Sequence, residues 1–381
     1  MGNGETEKTK ATEGRLTGRE PPSSHESKRR RSLPGGAMAD RFFPNDFPDF
    51  VAEAEAPGGD GDRRPAGVRG LLSLPYARLS DRFLRAARRL KDKVVEETWV
   101  KAGRQVTDYT LYTGALGTAL LLFKSFRVTG DRGDLALAAD IVHACDDASR
   151  GLPFLTFICG RAGVCALGAV IAKHCDDQLR VTQYLSSFDE ITITEKVPNE
   201  LLYGRAGYLW ACLFLNKHLS EKTIPLEHIN SVAKDIIREG RKLSSKGSSP
   251  LMYEWHGKKY WGAAHGLAGI MHVLMHTELK LDEQDDVKNT LRYMIKNRFP
   301  SGNYPSSEGN ESDRLVHWCH GAPGVALTLA KAYEKADEFI AEGAMHGGDR
   351  PFSLFEGKAG MAYLLLDMVD PSESRFPAYE L

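Results

Sequence analysis

The sequence is poor in cysteine, with six spread over 381 residues and mostly set in apolar segments. A small secreted protein held by disulfides has a much denser cysteine framework, so we expect a reducing compartment and mostly buried thiols. The N-terminus lacks the apolar core of a secretory signal. Arg161 interrupts the best apolar run, residues 156–172, so no membrane-spanning helix is expected.

A strong charge of either sign is also absent. The chain has 50 basic and 51 acidic residues, a formal net charge of -1. Such a molecule has no overall attraction for nucleic acid, which is therefore not expected as a partner. Hydrophobic residues make up 42% of the chain, which is enough for a real core.

Residues 1–75 are rich in Gly, Pro, Ser, Glu and Arg without a sustained period, and we expect a disordered tail before a folded domain at 76–381. MGNGET fits the pattern for myristoylation of Gly2. The basic cluster Lys28, Arg29, Arg30 and Arg31 would add the second signal that stable membrane anchoring requires. These features predict a cytoplasmic protein that contacts the inner face of the plasma membrane. The alternatives are a chance match and a solvated or nuclear-import basic run, and a second start at Met38 would remove both signals.

The rest of the chain is organised by a repeated motif, Gly-x-x-Gly followed by roughly ten mostly apolar residues, a length that fits a helix. It occurs six times, with first glycines at Gly114, Gly160, Gly204, Gly266, Gly321 and Gly357. A helix that is apolar on nearly every side is normally buried. The glycine pair permits close backbone approach or positive φ.

Amphipathic segments lie between these motifs, for example residues 134–149 and 229–243, with apolar residues three and four apart. The repeating unit is therefore an outer amphipathic helix, a loop, a glycine turn and an inner buried helix. Strand-like sequence is scarce, and its best example is ITITEKV at 191–197.

The spacing of the first glycines predicts a gap near the C-terminus. Successive intervals are 46, 44, 62, 55 and 36 residues. The last interval is too short for two helices of about 12 residues and their loops. We expect one hairpin to be missing between Cys319 and Phe355, with a junction near residues 333–337.

The segments ELLYGRAGYL, GAAHGLAGI, DRLVHWCHGAPGV and GGDRPFSLFEGKAGMAYLL resemble eukaryotic lanthionine synthetase C-like (LanC-like) proteins of the plant branch. The resemblance runs from about residue 39 to the C-terminus. It implies an all-α fold, an α/α toroid of helical hairpins in two concentric layers, here with one repeat missing. It also implies zinc at one end of a central cavity, with glutathione as a thiol that adds to dehydroamino acids of a dehydrated peptide.

The resemblance assigns site residues. Cys319 matches a zinc ligand, whereas the adjacent Cys and His ligands of the next repeat have no counterpart, which leaves His320 as a substitute. His265 matches a proposed acid–base residue that protonates the enolate formed by thiolate attack, and its alternative role is structural. The glutathione loop corresponds to His346, Gly347, Gly348, Asp349 and Arg350.

Two hypotheses follow for this chain. The first is an enzyme of this class, which requires a zinc site rebuilt from Cys319, His320 and a third group. The second is a non-catalytic glutathione-binding protein or membrane-associated signalling adaptor, and we expect biochemistry to favour it. A carbohydrate-active toroid would need a carboxylate pair, for which Glu254 and Glu356 are the candidates. Arg161 and Arg205 occupy the same position in two Gly-Arg-Ala-Gly turns. This repetition favours a role in bracing the backbone over one in binding an anion.

Overall fold

A computed structural model describes residues 75–244 and 249–341, all within one compact unit, Val51–Leu381. Residues 1–74 and 342–381 lie outside the described part, so the tail remains a prediction. The regular secondary-structure elements of the described chain are all helices, joined by turns and loops, and it contains no β-strand. Its only β pairing is two isolated bridges, Trp255 with Lys258 and Tyr260 with Ser307. The strand-like segment 191–197 forms no strand.

The helices follow the predicted alternation. They are α1 (Tyr76–Val95, continued by a π-helical turn, Glu96–Val100), α2 (Ala115–Thr129), α3 (Arg132–Ser149), α4 (Arg161–His174), α5 (Gln178–Asp189), α6 (Arg205–His218), α7 (Leu226–Leu243), α8 (Leu267–Leu274), α9 (Leu281–Lys296) and α10 (Ala322–Ala341). None of these helices is both long and apolar enough to cross a membrane.

The helices that follow the glycine turns, α2, α4, α6, α8 and α10, form the inner layer, and each contacts the next one in the chain. Every residue from Ala162 to Ala172 of α4 is buried, as is all of α8 except His272. Helices that are apolar on all sides need such surroundings. The prediction of buried inner helices is confirmed.

The outer layer consists of α3, α5, α7 and α9, which pack against the inner helices. Helix α7 buries one face only, through Ile229, Val232, Ala233, Ile236, Ile237 and Gly240. Residues at this spacing lie on one side of a helix, so the opposite side faces solvent. The amphipathic interpretation of 134–149 is confirmed in the same way by α3.

The paired glycines allow close backbone approach. In all five described turns, a Cβ on the second glycine would overlap the carbonyl oxygen of the residue six positions earlier: Gly117 and Leu111, Gly163 and Phe157, Gly207 and Leu201, Gly269 and Ala263, Gly324 and Trp318. Of the five first glycines, only Gly321 has a positive φ, 114°. Close approach is therefore the main reason for the motif.

Hydrogen bonds join each glycine turn to the next. The carbonyl two residues before the first glycine accepts from the preceding repeat in four cases: Ile158 from Leu111 N, Leu202 from the Thr156 hydroxyl, Ala264 from Leu201 N, and Cys319 from Ala264 N. The chain of bonds fixes the N-terminal ends of the inner helices side by side. Side chains just before the glycines are thereby brought to one end of the inner layer.

The two arginines of the Gly-Arg-Ala-Gly turns brace the backbone. Arg161 pairs with Asp146 at 3.1 Å and donates to the Asp146 carbonyl and to the Ser149 hydroxyl. Arg205 donates to the carbonyls of residues 194, 195 and 197. Both guanidinium groups are occupied by protein acceptors, so the bracing interpretation is confirmed.

Candidate functional site at the glycine turns

The residue immediately before each first glycine occupies an equivalent place in the repeat. These residues are Thr113, Cys159, Tyr203, His265 and His320. Several of them meet: the ring centroids of Tyr203 and His265 are 6.2 Å apart, and those of His265 and His320 are also 6.2 Å apart. The first and last described turns meet as well, through Tyr112 and Trp318 at 6.5 Å. The glycine turns therefore assemble a single site from five repeats.

A buried carboxylate orients His265. Its Nδ1 lies 2.7 Å from Oε2 of Glu200, a side chain that is only 2% exposed. Glu200 also accepts from the backbone N–H groups of Leu202 and Tyr203. An ionised carboxylate only accepts hydrogen bonds, so Nδ1–H is the donor in this contact and Nε2 is the nitrogen left to exchange a proton. This is the arrangement of an oriented general base.

Glu200 is not among the residues that the sequence motifs single out. Its signal is an acidic residue four positions before the first glycine of an apolar turn, in ELLYG. The partner His265 lies 65 residues further on, so only the fold brings the two together.

Aromatic rings surround His265. The indole of Trp255 stacks on the imidazole with centroids 4.0 Å apart and an interplanar angle of 11°. Tyr260 lies 5.8 Å from His265 and 5.6 Å from His320. Since Trp255 and Tyr260 are themselves partly buried, the imidazole has an enclosed, largely apolar surrounding.

A tight hairpin presents Trp255 to the site. Trp255 and Lys258 exchange both backbone hydrogen bonds, at 2.9 and 3.1 Å. The two residues between them, His256 and Gly257, have φ of 48° and 72°. Two successive left-handed residues are typical of the turn that closes a two-residue hairpin. The turn fixes the position of the indole over His265.

Two thiols lie at the same end. Cys159 is buried with Leu202 and Ala264, and the partly buried Cys319 packs against this cluster. Burial, together with the charge of Glu200, raises the pKa of Cys159 to about 12. Cys159 is therefore a neutral thiol at physiological pH. All six cysteines are unpaired, and four of them are buried, as expected.

The predicted zinc ligands Cys319 and His320 are both at the site. Tetrahedral zinc needs at least three protein ligands. Across residues 75–244 and 249–341, no three His, Cys, Asp or Glu side chains come close enough together to hold a metal ion. The donor set of the described chain does not fit a structural or catalytic zinc site.

Several predicted residues are not in the described part of the chain. The glutathione loop, His346, Gly347, Gly348, Asp349 and Arg350, falls outside the described residues, as do Gly2 and Lys28, Arg29, Arg30 and Arg31. Glu254 is exposed beside Trp255, and its proposed carboxylate partner Glu356 is also outside the described part.

The model of the lanthionine synthetase C-like protein family matches residues 105–342 and 332–381. The chain belongs to the LanC-like family. The LanC-like protein GCL1 of Arabidopsis thaliana is 41% identical over 362 residues, 84% of this chain and 83% of that protein. Glutathione S-transferase LANCL1 of Danio rerio is 32% identical over 349 residues, 72% of this chain and 85% of that protein. The structure of nisin cyclase aligns with a TM-score of 0.44 at 15% identity, covering 76% of this chain and 83% of that one.

Membership identifies the two helical layers as parts of the LanC-like α/α toroid. The family match comes in two stretches that overlap at residues 332–342, which coincides with the junction expected from the short glycine interval. Helix α10 runs unbroken from Ala322 to Ala341 across the start of this overlap. It is 20 residues long, whereas α8, the preceding inner helix, has eight.

Proposed function

We propose that this LanC-like chain binds glutathione at the glycine-turn site and adds it slowly to dehydroamino acid residues of peptides, with Glu200 and His265 as the acid–base pair. The observation that carries the proposal is the 2.7 Å contact between the buried Glu200 carboxylate and His265 Nδ1. A relative named glutathione S-transferase, 32% identical to this chain, supports the choice of thiol.

The chemistry needs one proton to move. The thiol sulfur forms a bond to the β-carbon of the dehydroamino acid, and the electrons of the carbon–carbon double bond move into an enolate. His265 Nε2 accepts the proton of the thiol and returns it to the α-carbon. Glu200 holds the imidazole and stabilises its positive charge between these two steps. The thiol hydrogen ends on the α-carbon, so no oxidant or further reactant is needed.

The rate depends on how the thiolate forms. A complete zinc site would supply the thiolate at neutral pH. Since the donor set described here does not complete a zinc site, His265 has to deprotonate a thiol whose pKa is ordinarily about 8.5. We therefore expect a reaction that is faster than in buffer but slow for an enzyme. The second hypothesis, a non-catalytic glutathione-binding protein, is supported by the same incomplete donor set.

The test is mass spectrometry of the glutathione adduct on a synthetic peptide that contains dehydrobutyrine, with calorimetry of glutathione binding in parallel. We expect adduct formation above the protein-free rate, and a loss of the protein-dependent rate of about a hundredfold to ten-thousandfold in Glu200→Gln and His265→Asn, the range of general acid–base catalysis. Exposed His317→Gln is the control. Glutathione binding without any rate above buffer would establish the non-catalytic function, and absence of binding would contradict both.

We also propose a cytoplasmic location with contact to the inner face of the plasma membrane, through acylated Gly2 and the basic cluster at residues 28–31. Mass spectrometry of the mature N-terminus tests acylation. A Gly2→Ala variant that still sediments with vesicles containing phosphatidylserine would contradict the role of the acyl chain.

A further inference from the structure

A second cavity lies beside the segment that carries Tyr260. This segment is held against the loop at 306–308, because Trp261 N–H donates to the Ser306 carbonyl at 3.1 Å and Glu308 N–H donates to the Lys259 carbonyl at 2.8 Å. Adjacent side chains of extended backbone point to opposite sides. Accordingly, Tyr260 contacts the histidines of the glycine-turn site, whereas Trp261 lines the second cavity.

The cavity has a volume of about 420 Å³. Pockets for small ligands and side chains commonly measure about 300–1,000 Å³. Its lining includes the aromatic rings of Trp261, Tyr293 and Phe299, with Trp261 and Tyr293 centroids 5.5 Å apart. Trp261 is only 2% exposed, so the rings that a ligand reaches are those of the partly buried Tyr293 and Phe299. Tyr293 lies in the last turn of α9, and Asn297, four positions further on, is the residue that caps the end of the helix, so both face the same space.

One carboxylate is fixed at the opening by these rings. Trp261 Nε1 donates to Glu308 Oε2 at 2.9 Å, and the Tyr293 hydroxyl donates to Oε1 at 2.6 Å. A carboxylate has about four acceptor positions, so each oxygen can accept a further hydrogen bond. Glu308 is exposed, which makes these positions reachable from solvent.

The charged residues that line the cavity are all acidic. Its lining contains two carboxylates, Glu308 and Glu311, and none of its described lining residues is a lysine, arginine or histidine. Burial raises the pKa of Tyr293 to about 12, and the neighbouring Glu308 contributes to the shift, so the phenol remains a neutral donor. A cavity with aromatic walls and carboxylates attracts an organic cation through both the ring faces and the charge.

We propose that this cavity, the Trp261–Glu308 pocket, binds the guanidinium group of an arginine side chain on a peptide partner. Guanidinium is planar, stacks on aromatic rings, and donates two parallel hydrogen bonds that match the two oxygens of a fixed carboxylate. The ammonium group of lysine carries the same charge but lacks the planar pair of N–H donors. The pocket is outside the glycine-turn site, so the proposal stands whether or not thiol addition takes place.

The test is calorimetric titration of the full chain with the peptide acetyl-Gly-Gly-Arg-Gly-Gly-amide. The same peptide with citrulline in place of arginine keeps the shape of the side chain and removes its charge. The same peptide with lysine keeps the charge and removes the planar pair of N–H donors. We expect the arginine peptide to bind at least about tenfold more tightly than either, because hydrogen bonds between two charged groups are stronger than those with a neutral partner, and the paired donors of guanidinium match the carboxylate.

Variants connect binding to the pocket. Glu308→Gln keeps the size of the side chain and is expected to weaken arginine binding about tenfold or more. Phe299→Leu removes an aromatic ring and leaves the hydrogen bonds of Glu308 intact. It therefore tests the pocket independently if Glu308→Gln does not fold. Glu227→Gln, an exposed change on α7, is the matched control and leaves binding unchanged.

Three results would overturn the proposal. They are no binding of the arginine peptide at millimolar concentration, equal binding of the arginine and citrulline or lysine peptides, and unchanged affinity in both folded pocket variants.

Discussion

The indole of Trp255 and the imidazole of His265 lie nearly parallel, at an interplanar angle of 11° and 4.0 Å between centroids. Together with the hydrogen bond from Nδ1 to Glu200, the stack leaves the imidazole little freedom to rotate. The stack with Trp255 fixes the plane of the imidazole, and the hydrogen bond to Glu200 fixes the direction of Nδ1 within that plane.

Trp255→Ala is expected to uncover His265. Diethyl pyrocarbonate acylates neutral imidazole nitrogens, so the rate of His265 modification, followed by peptide mass spectrometry, should rise in Trp255→Ala and stay close to wild type in Trp255→Phe. The lost ring pair should also lower the free energy of unfolding by about 0.5–1.5 kcal/mol beyond the lost buried area. An unchanged modification rate in Trp255→Ala would show that the indole does not cover the imidazole in solution.

Glu200→Ala is expected to destabilise the fold as well as the site. The change leaves two backbone N–H groups and His265 Nδ1 without their acceptor, and each unsatisfied buried group costs about 1–3 kcal/mol. Urea unfolding should show a loss of at least about 3 kcal/mol. The exposed Glu227→Ala should stay within about 0.5 kcal/mol of wild type. Equal stability of the two variants would contradict the role given to Glu200.

Gly163→Ala tests close approach in the glycine turns. The added Cβ would overlap the carbonyl of Phe157, which is backbone and cannot move aside. We expect a loss of about 3 kcal/mol in the free energy of unfolding. Gly103 is the control, because it has φ of 64° and nothing within 4 Å of an added Cβ. Gly103→Ala should cost only about 1–2 kcal/mol, from its left-handed backbone. A smaller loss for Gly163→Ala than for Gly103→Ala would refute this explanation of the motif.

Acid is expected to weaken the packing of α8. Burial, together with the positive charge of Lys331, lowers the pKa of His276 to about 4. Burial and Lys331 also lower the pKa of His272. Since the unfolded chain binds these protons more readily, stability should fall as pH decreases from about 6.5 toward 4, and should level off below that.

The measurement is urea unfolding at several pH values in this window. His276→Gln should lose less stability on acidification than wild type, whereas exposed His317→Gln should follow wild type. Identical pH dependence in wild type and His276→Gln would show that His276 does not carry the effect.

Zinc content distinguishes an intact metal site from an incomplete one. With Cys319 and His320 as the predicted ligands, we expect less than one zinc per chain after dialysis against a chelator, because each missing ligand weakens binding by a large factor. Elemental analysis of the purified chain measures this, with Cys319→Ser as the reference. One zinc per chain that survives dialysis and is lost in Cys319→Ser would overturn this prediction.

The sequence alone determined the class of fold. Its glycine pairs, fully apolar inner segments and one-sided outer segments fixed which helices are buried, since burial follows directly from apolar periodicity. The short interval between Gly321 and Gly357 indicated a junction between these two turns, because 36 residues are too few for a complete hairpin unit. The strand-like residues 191–197 form no strand, because the described chain offers no neighbouring strand to pair with them.

Only the tertiary structure decided the partners at the site. Glu200 and His265 are 65 residues apart, and Trp255 reaches the imidazole through a hairpin whose left-handed turn gave no periodic signal. The same holds for the pocket that joins Trp261, Tyr293 and Glu308. Periodicity reports which face of a segment is buried, whereas contacts between distant segments depend on how the helices pack, and a single sequence carries no direct record of that packing.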